Sequence, residues 1–130
     1  MRSRILFISG HSSDARRLSH MLRALPILVD HTKSLKNARA RLQQQQYDVI
    51  LTDSNLPDGN WLDALHLARE IPAELEVVVT DPQADAASWS EALNLGAFDM
   101  LAQPFYEPEV RRVLQNACTH VGYAAPAAVL

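Results

Sequence analysis

Tyr47-Asp48-Val49-Ile50-Leu51-Thr52-Asp53-Ser54-Asn55-Leu56-Pro57-Asp58-Gly59 is the stretch whose reading decides the fold. Val49, Ile50 and Leu51 form a short continuous apolar run, the pattern of a parallel strand covered on both faces. Asp53 closes the run. Asp58-Gly59 is first of all a turn signal. Beyond it the period changes: Leu62, Leu65 and Ala68 fall at helical spacing, and the pattern ends before Pro72. The segment therefore reads as buried strand, turn and amphipathic helix.

The same unit recurs on either side. Upstream, Ile5-Leu6-Phe7-Ile8 and Ile27-Leu28-Val29 are apolar runs, and downstream Val77-Val78-Val79 and Met100-Leu101-Ala102 are two more. Between the first two, Ser13 reads as an N-cap for a helix carrying Ala15, Leu18, Leu22 and Leu25, stopped by Pro26. After the second, Ser34 caps a helix with Leu35, Ala38 and Leu42 on one stripe, and the glutamines 43–46 read as its solvated last turn. A fourth helix covers residues 86–95 and stops at Gly96, a fitting left-handed C-terminal residue. A fifth opens at Glu107-Pro108, with proline in the first turn, and buries Val110, Val113, Leu114 and Ala117. Strand and helix alternate throughout, and right-handed crossovers turn that order into an α/β doubly wound sheet with helices on both faces.

Bulk composition sets limits on function. The chain has 130 residues, 48% of them hydrophobic, enough for one compact domain with a core of its own. The expected division is a domain over residues 1–120 and a tail or linker start over 121–130. A formal net charge of -3 argues against direct nucleic-acid binding, which needs a basic surface. Cys118 is the only cysteine, so no internal disulfide forms, and it reads as a small apolar helix residue. The N-terminal apolar run is too short for a signal-peptide core or a membrane span, which makes a cytoplasmic location the default expectation and a membrane partner unexpected.

In such sheets chemistry gathers at the carboxyl ends of the strands. Those ends present Ser9, Gly10 and His11, then Asp53, then Thr80-Asp81, then Gln103-Pro104-Phe105. Taken together, these residues resemble the receiver domains of bacterial response regulators. Residues 47–59 are similar to the family's phosphoacceptor segment, Thr80 to its switch hydroxyl, and residues 95–105 to the segment around its last strand. The likeness reaches about to Cys118 and lies nearest the receivers of enhancer-binding transcription activators. It implies a flavodoxin-like (βα)5 three-layer sandwich with strand order 2-1-3-4-5. It also implies a non-enzymatic signalling role, with Asp53 accepting a phosphoryl group from a phosphohistidine donor. Mg²⁺ would be held by two acids after the first strand, by Asp53 and by the Asn55 carbonyl.

The sequence departs from that pattern. Ser9 and Gly10 stand where the acidic pair belongs, and the nearest acid, Asp14, lies in the start of the first helix. Gln103 replaces the lysine that would pair with the phosphoryl oxygens, and Met100 replaces the movable aromatic residue. Mg²⁺ is then expected to bind weakly and no metal site is assigned. The leading expectation is a degenerate receiver that acts through protein contacts with a histidine kinase or an output domain. Homodimerisation through the face of the fourth helix, fifth strand and fifth helix is a further expectation, with Trp89, Phe105 and Tyr106 there if exposed. A second reading keeps Asp53 as a working phosphoacceptor for a cognate kinase. A third uses the altered pocket of Ser9, His11, Asp53 and Gln103 for a small ligand or metal. The plain competitor for Asp53 is a strand-end residue that satisfies nearby backbone donors, and for His11 a loop histidine in solvent. Trp61 and Trp89 read as helix-packing residues first.

Overall fold

A computed structural model describes residues 2–71 and 74–128, with side chains of the last helix as far as His120. Pro72, expected to follow the third helix, lies outside the described residues, as do the side chains of the expected tail, 121–130. The elements run β1 (Ser3–Ile8), α1 (Ser12–Met21), β2 (Ile27–Thr32), α2 (Leu35–Gln44) and β3 (Val49–Asp53). Two short strands, β4 (Asn55–Leu56) and β5 (Gly59–Asn60), pair antiparallel in the following loop. Then come α3 (Trp61–Glu70), β6 (Glu76–Asp81), α4 (Ala86–Leu95), β7 (Asp99–Ala102) and α5 (Glu107–Ala128).

The main sheet has five strands, all parallel, in the order β2-β1-β3-β6-β7. With the small hairpin set aside, this is the expected order 2-1-3-4-5. Period-two alternation sorts the strand residues between two faces. Ile5, Phe7, Val49, Leu51 and Val78 pack under α1 and α5, against Leu18, Val110, Val113 and Leu114. Leu6, Ile8, Ile50 and Val77 face α2 and α3, against Ala38, Leu42, Ala64 and Leu67. Both strand faces are covered, which is why the runs are continuous rather than alternating. Removing a side chain such as Phe7 or Leu114 from water stabilises the fold by about 1.5–3 kcal/mol each.

Helix ends follow local chemistry, with some departures from expectation. Ser34 accepts from the Asn37 amide, as expected of a cap. Gly96 ends α4 at φ 114°, also as expected. Asn60 caps α3 with a reciprocal box to Asp63, a device the sequence reading did not identify. Ser13 is not the cap of α1: His11 holds that position without a side-chain bond, and Ser13 lies inside the helix. Nor does α1 reach Pro26. It ends at Met21, and a turn closed by Leu25 N–H to the Leu22 carbonyl carries Leu22 into the core. The glutamine run is solvated, but only its first two residues are helical. β2 extends past Val29 through Asp30, His31 and Thr32. Those polar residues are tolerated because Tyr47 donates to Asp30 at 2.6 Å and the His31 ring meets the Ser9 carbonyl at 2.8 Å.

Candidate functional site

Strand order reverses between β1 and β3, so their carboxyl ends diverge into the crevice where such sheets hold ligands. Ile8 pairs with Thr52, which brings the next residues, Ser9 and Asp53, side by side. Asp53 also pairs with Thr80 across β3 and β6. Parallel neighbours in register project the same way, so Asp53 sits between two hydroxyl residues. The end of β7 contributes Gln103, whose amide N–H bonds the Asp81 carbonyl, and the Gln103–Pro104 peptide bond is cis.

A cleft of about 140 Å³ opens over this point, lined by His11, Asp53, Ser54, Asn55, Thr80, Pro82 and Gln103. Larger hollows lie elsewhere, one of about 460 Å³ between α2 and α3, but none of their lining residues ends a central strand. Ser9 is fully buried against Asp53 and Gly10 lies next to Pro57. Of the pocket residues expected from sequence, His11, Asp53, Asn55, Thr80 and Gln103 share the lining, while Ser9 and Gly10 are not part of it. Ser54 and Pro82 also line it. Their signal was only that each follows closely on a strand-end residue.

The electrostatics centre on Asp53. The carboxylate is 7% exposed. Its Oδ2 accepts a 2.6 Å hydrogen bond from the Ser9 hydroxyl, and that hydroxyl in turn accepts the His11 amide N–H at 3.0 Å. Oδ1 is buried without a partner, and so is the Thr80 hydroxyl. Burial pushes the Asp53 carboxyl above its ordinary value; the Ser9 bond and the nearby His11 oppose this, and Asp14 adds to it. The Gly10 amide also favours the charged form, though it makes no hydrogen bond of proper geometry to either oxygen. Among the described residues no lysine or arginine lines the cleft.

These donors do not fit Mg²⁺. The ion wants several hard oxygens in near-octahedral array. Here the β1 end offers a hydroxyl already committed as a donor to Asp53 and a glycine, leaving one free carboxylate oxygen and the Asn55 backbone. Among the described residues no group of three or more His, Cys, Asp or Glu is placed to hold a metal.

The other expected residues are spread across the fold. Met100 is buried with Val79, Ala92 and Ala97. Trp61 is half-buried against that cluster, while Trp89 on α4 is 36% exposed. Phe105 turns inward, its ring 6.4 Å from that of Phe7, so it is packing rather than open surface. Tyr106 is 66% exposed, and on α4 Trp89, Leu93 and Leu95 are exposed as well. Cys118 is a free, half-buried thiol against the core, and burial raises its pKa. Asp58 does more than mark a turn: its carboxylate accepts the amides of Leu35 and Lys36, capping α2 from a distant loop.

The model of the response regulator receiver domain matches residues 5–115. The response regulator protein PilR of Pseudomonas aeruginosa is 28% identical over 85 residues, 65% of this chain and 19% of its own length. The DNA-binding transcriptional regulator NtrC of Proteus hauseri is 33% identical over 79 residues, 61% of this chain and 17% of its own length. The match thus spans less than a fifth of each relative. Among solved structures, the signal receiver domain of a protein described as a LuxO-type repressor from Vibrio parahaemolyticus superposes with TM-score 0.87 at 18% identity, over 98% of both chains. The beryllofluoride-activated NtrC4 receiver domain dimer superposes with TM-score 0.82 at 22% identity, over 91% of this chain and 98% of that one. These structural likenesses establish the fold.

Proposed function

The chain belongs to the response regulator receiver domain family, and on that premise we propose that it signals through protein contacts, with Asp53 a poor phosphoryl acceptor. One observation carries this reading. The position beside Asp53 that would hold an acid holds Ser9, and its hydroxyl occupies Oδ2 at 2.6 Å. With Gln103 in the lining, no lysine or arginine among the described residues is placed to neutralise an incoming phosphoryl group. The exposed Trp89, Leu93 and Tyr106 are the residues assigned to that contact, with an output domain, a histidine kinase or a second copy of the chain. No described helix is long and apolar enough to cross a membrane.

A second reading retains phosphotransfer from a cognate histidine kinase that brings its own positive charge. It is favoured by the unpartnered Asp53 Oδ1 and Thr80 hydroxyl on neighbouring strands, the acceptor and reporter positions. Incubation with acetyl phosphate and Mg²⁺, followed by intact-mass measurement, separates the two. The first reading expects no added phosphoryl group under conditions that label an acid-paired receiver. Rapid labelling that Asp53→Asn abolishes would overturn it.

A further inference from the structure

We propose that the cleft over Asp53 is a receptor for a single primary ammonium group, brought by a lysine side chain of a partner protein or by a small amine. The inference rests on the reading that Asp53 carries no phosphoryl group. The acceptors themselves point to this ligand. Asp53 Oδ1 is buried with no donor, and the Thr80 hydroxyl beside it is fully buried with none. Both belong to in-register residues of adjacent strands, and the side chains of Gln103 and Asn55 complete a small polar lining. A buried carboxylate with one empty oxygen is costly until a donor reaches it, most of all a charged one.

The geometry also discriminates between cations. A guanidinium draws its advantage from two parallel bonds to both oxygens of a carboxylate. Here Oδ2 already holds the Ser9 hydrogen bond at 2.6 Å, so one arm of that fork competes with Ser9 for its target. A divalent metal wants more oxygen ligands than the cleft supplies. An ammonium is a compact charge with three rotatable donors and no acceptor. Both oxygens are closed off as the fold stands, so entry of the ammonium requires the Asp53 and Thr80 side chains to turn toward the cleft; one donor then meets Oδ1, a second the Thr80 oxygen, and a third is left for the Gln103 carbonyl or water. A cleft of about 140 Å³ admits a narrow alkyl stem with its charged tip. Among the described residues no Lys or Arg lines it, and His11 at its edge makes no hydrogen bond from its ring to Asp53, so a primary ammonium has to come from outside.

The test is an NMR titration of the whole chain with n-butylammonium chloride. It follows the amides of Ser54 and Thr80 and the carboxyl carbon of Asp53, with no Mg²⁺ or phosphodonor present. Saturable shifts at these sites are expected, with n-butanol and guanidinium producing none that saturate. Asp53→Asn should weaken binding about tenfold or more, the loss of one charge-assisted hydrogen bond. Thr80→Val, which keeps side-chain shape, should weaken it less. Gln103→Lys should fill the cleft from within and abolish binding of the added amine. Nα-acetyl-lysine methylamide in a parallel arm identifies the source: clearly tighter binding than butylammonium supports a protein lysine, and equal binding supports a free amine. Unsaturable shifts, or equal saturation by guanidinium, would overturn the proposal. Either failure leaves the phosphorylation reading intact, because that reading is tested by acetyl phosphate labelling alone.

Discussion

Replacing Ser9 by alanine isolates the contact on which the electrostatics of the crevice turn. The hydroxyl is fully buried, its partner carboxylate is 7% exposed, and the bond is 2.6 Å. A hydrogen bond to a charged group contributes about 1.5–3 kcal/mol, against about 1 kcal/mol for a neutral pair. The upper part of that range is expected here, because Ser9→Ala leaves both Asp53 oxygens without a donor. The His11 amide also loses an acceptor, but His11 is exposed and water replaces it. The sign of the pH dependence follows from Asp53. Burial already holds its carboxyl above the ordinary value of 3.8, with Ser9 pulling it back. The folded chain therefore binds the proton more tightly than the unfolded chain. Stability contributed at Asp53 is greatest in acid and is lost as pH rises through the folded pKa. Ser9→Ala pushes that pKa higher still, so its cost appears above the folded pKa and shrinks as the carboxyl protonates. Urea unfolding across a pH series should show a loss of about 2–3 kcal/mol in the alkaline limb and about 1 kcal/mol in acid. In an Asp53→Asn background the loss should stay near the neutral value of about 1 kcal/mol at every pH. A loss equal at all pH values, or one unchanged by Asp53→Asn, would refute the assigned role of this bond.

Further substitutions probe other links. Asp58→Ala removes the carboxylate that accepts the Leu35 and Lys36 amides; a loss of about 0.5–1 kcal/mol is expected by urea unfolding. Those amides, Leu35 first, hold the Asp58 pKa below its ordinary value, so the contribution should be present near neutrality and fade as pH falls through that lowered pKa. Gly96→Ala places a methyl at φ 114° against the Arg69 guanidinium, and thermal unfolding should show a loss of at least about 1 kcal/mol. Trp89→Ala should change stability by no more than about 0.5 kcal/mol while weakening self-association or partner capture, read by sedimentation velocity. Gly10→Asp should fold normally, because an added Cβ meets only Pro57 at 3.8 Å. Together with Ser9→Asp and Gln103→Lys it should restore labelling by acetyl phosphate with Mg²⁺.

The sequence carried the sheet and the residues of the crevice because both depend on local pattern. Covered strands show as short apolar runs, and Asp53, Thr80 and Gln103 stand out because each follows one. The stripe of α5 and the Gly96 stop were legible for the same reason. What escaped depends on contacts distant in the chain. Leu22 is the C-cap of α1, still bonding its N–H to the Leu18 carbonyl and still buried, and Leu25 packs beyond it in a turn, so apolar spacing alone placed the helix end too late. The polar half of β2 is held by Tyr47 and by the Ser9 carbonyl, neither of which is near it in sequence. The cap from Asp58 to α2 spans 22–23 residues and leaves no periodic signal. The inward turn of Phe105 onto Phe7 likewise follows from packing between β1 and the β7–α5 loop, not from its own neighbourhood.

The central proposal is that the cleft over Asp53, with no lysine or arginine among its described lining and Ser9 in place of an acid, binds Mg²⁺ poorly. Titrating Mg²⁺ into the protein while following the amides of Ser54, Asn55 and Thr80 tests it most directly. No saturable shift at these three residues is expected at millimolar Mg²⁺. Saturation there, with the affinity of a receiver that retains its acidic pair, would contradict the account.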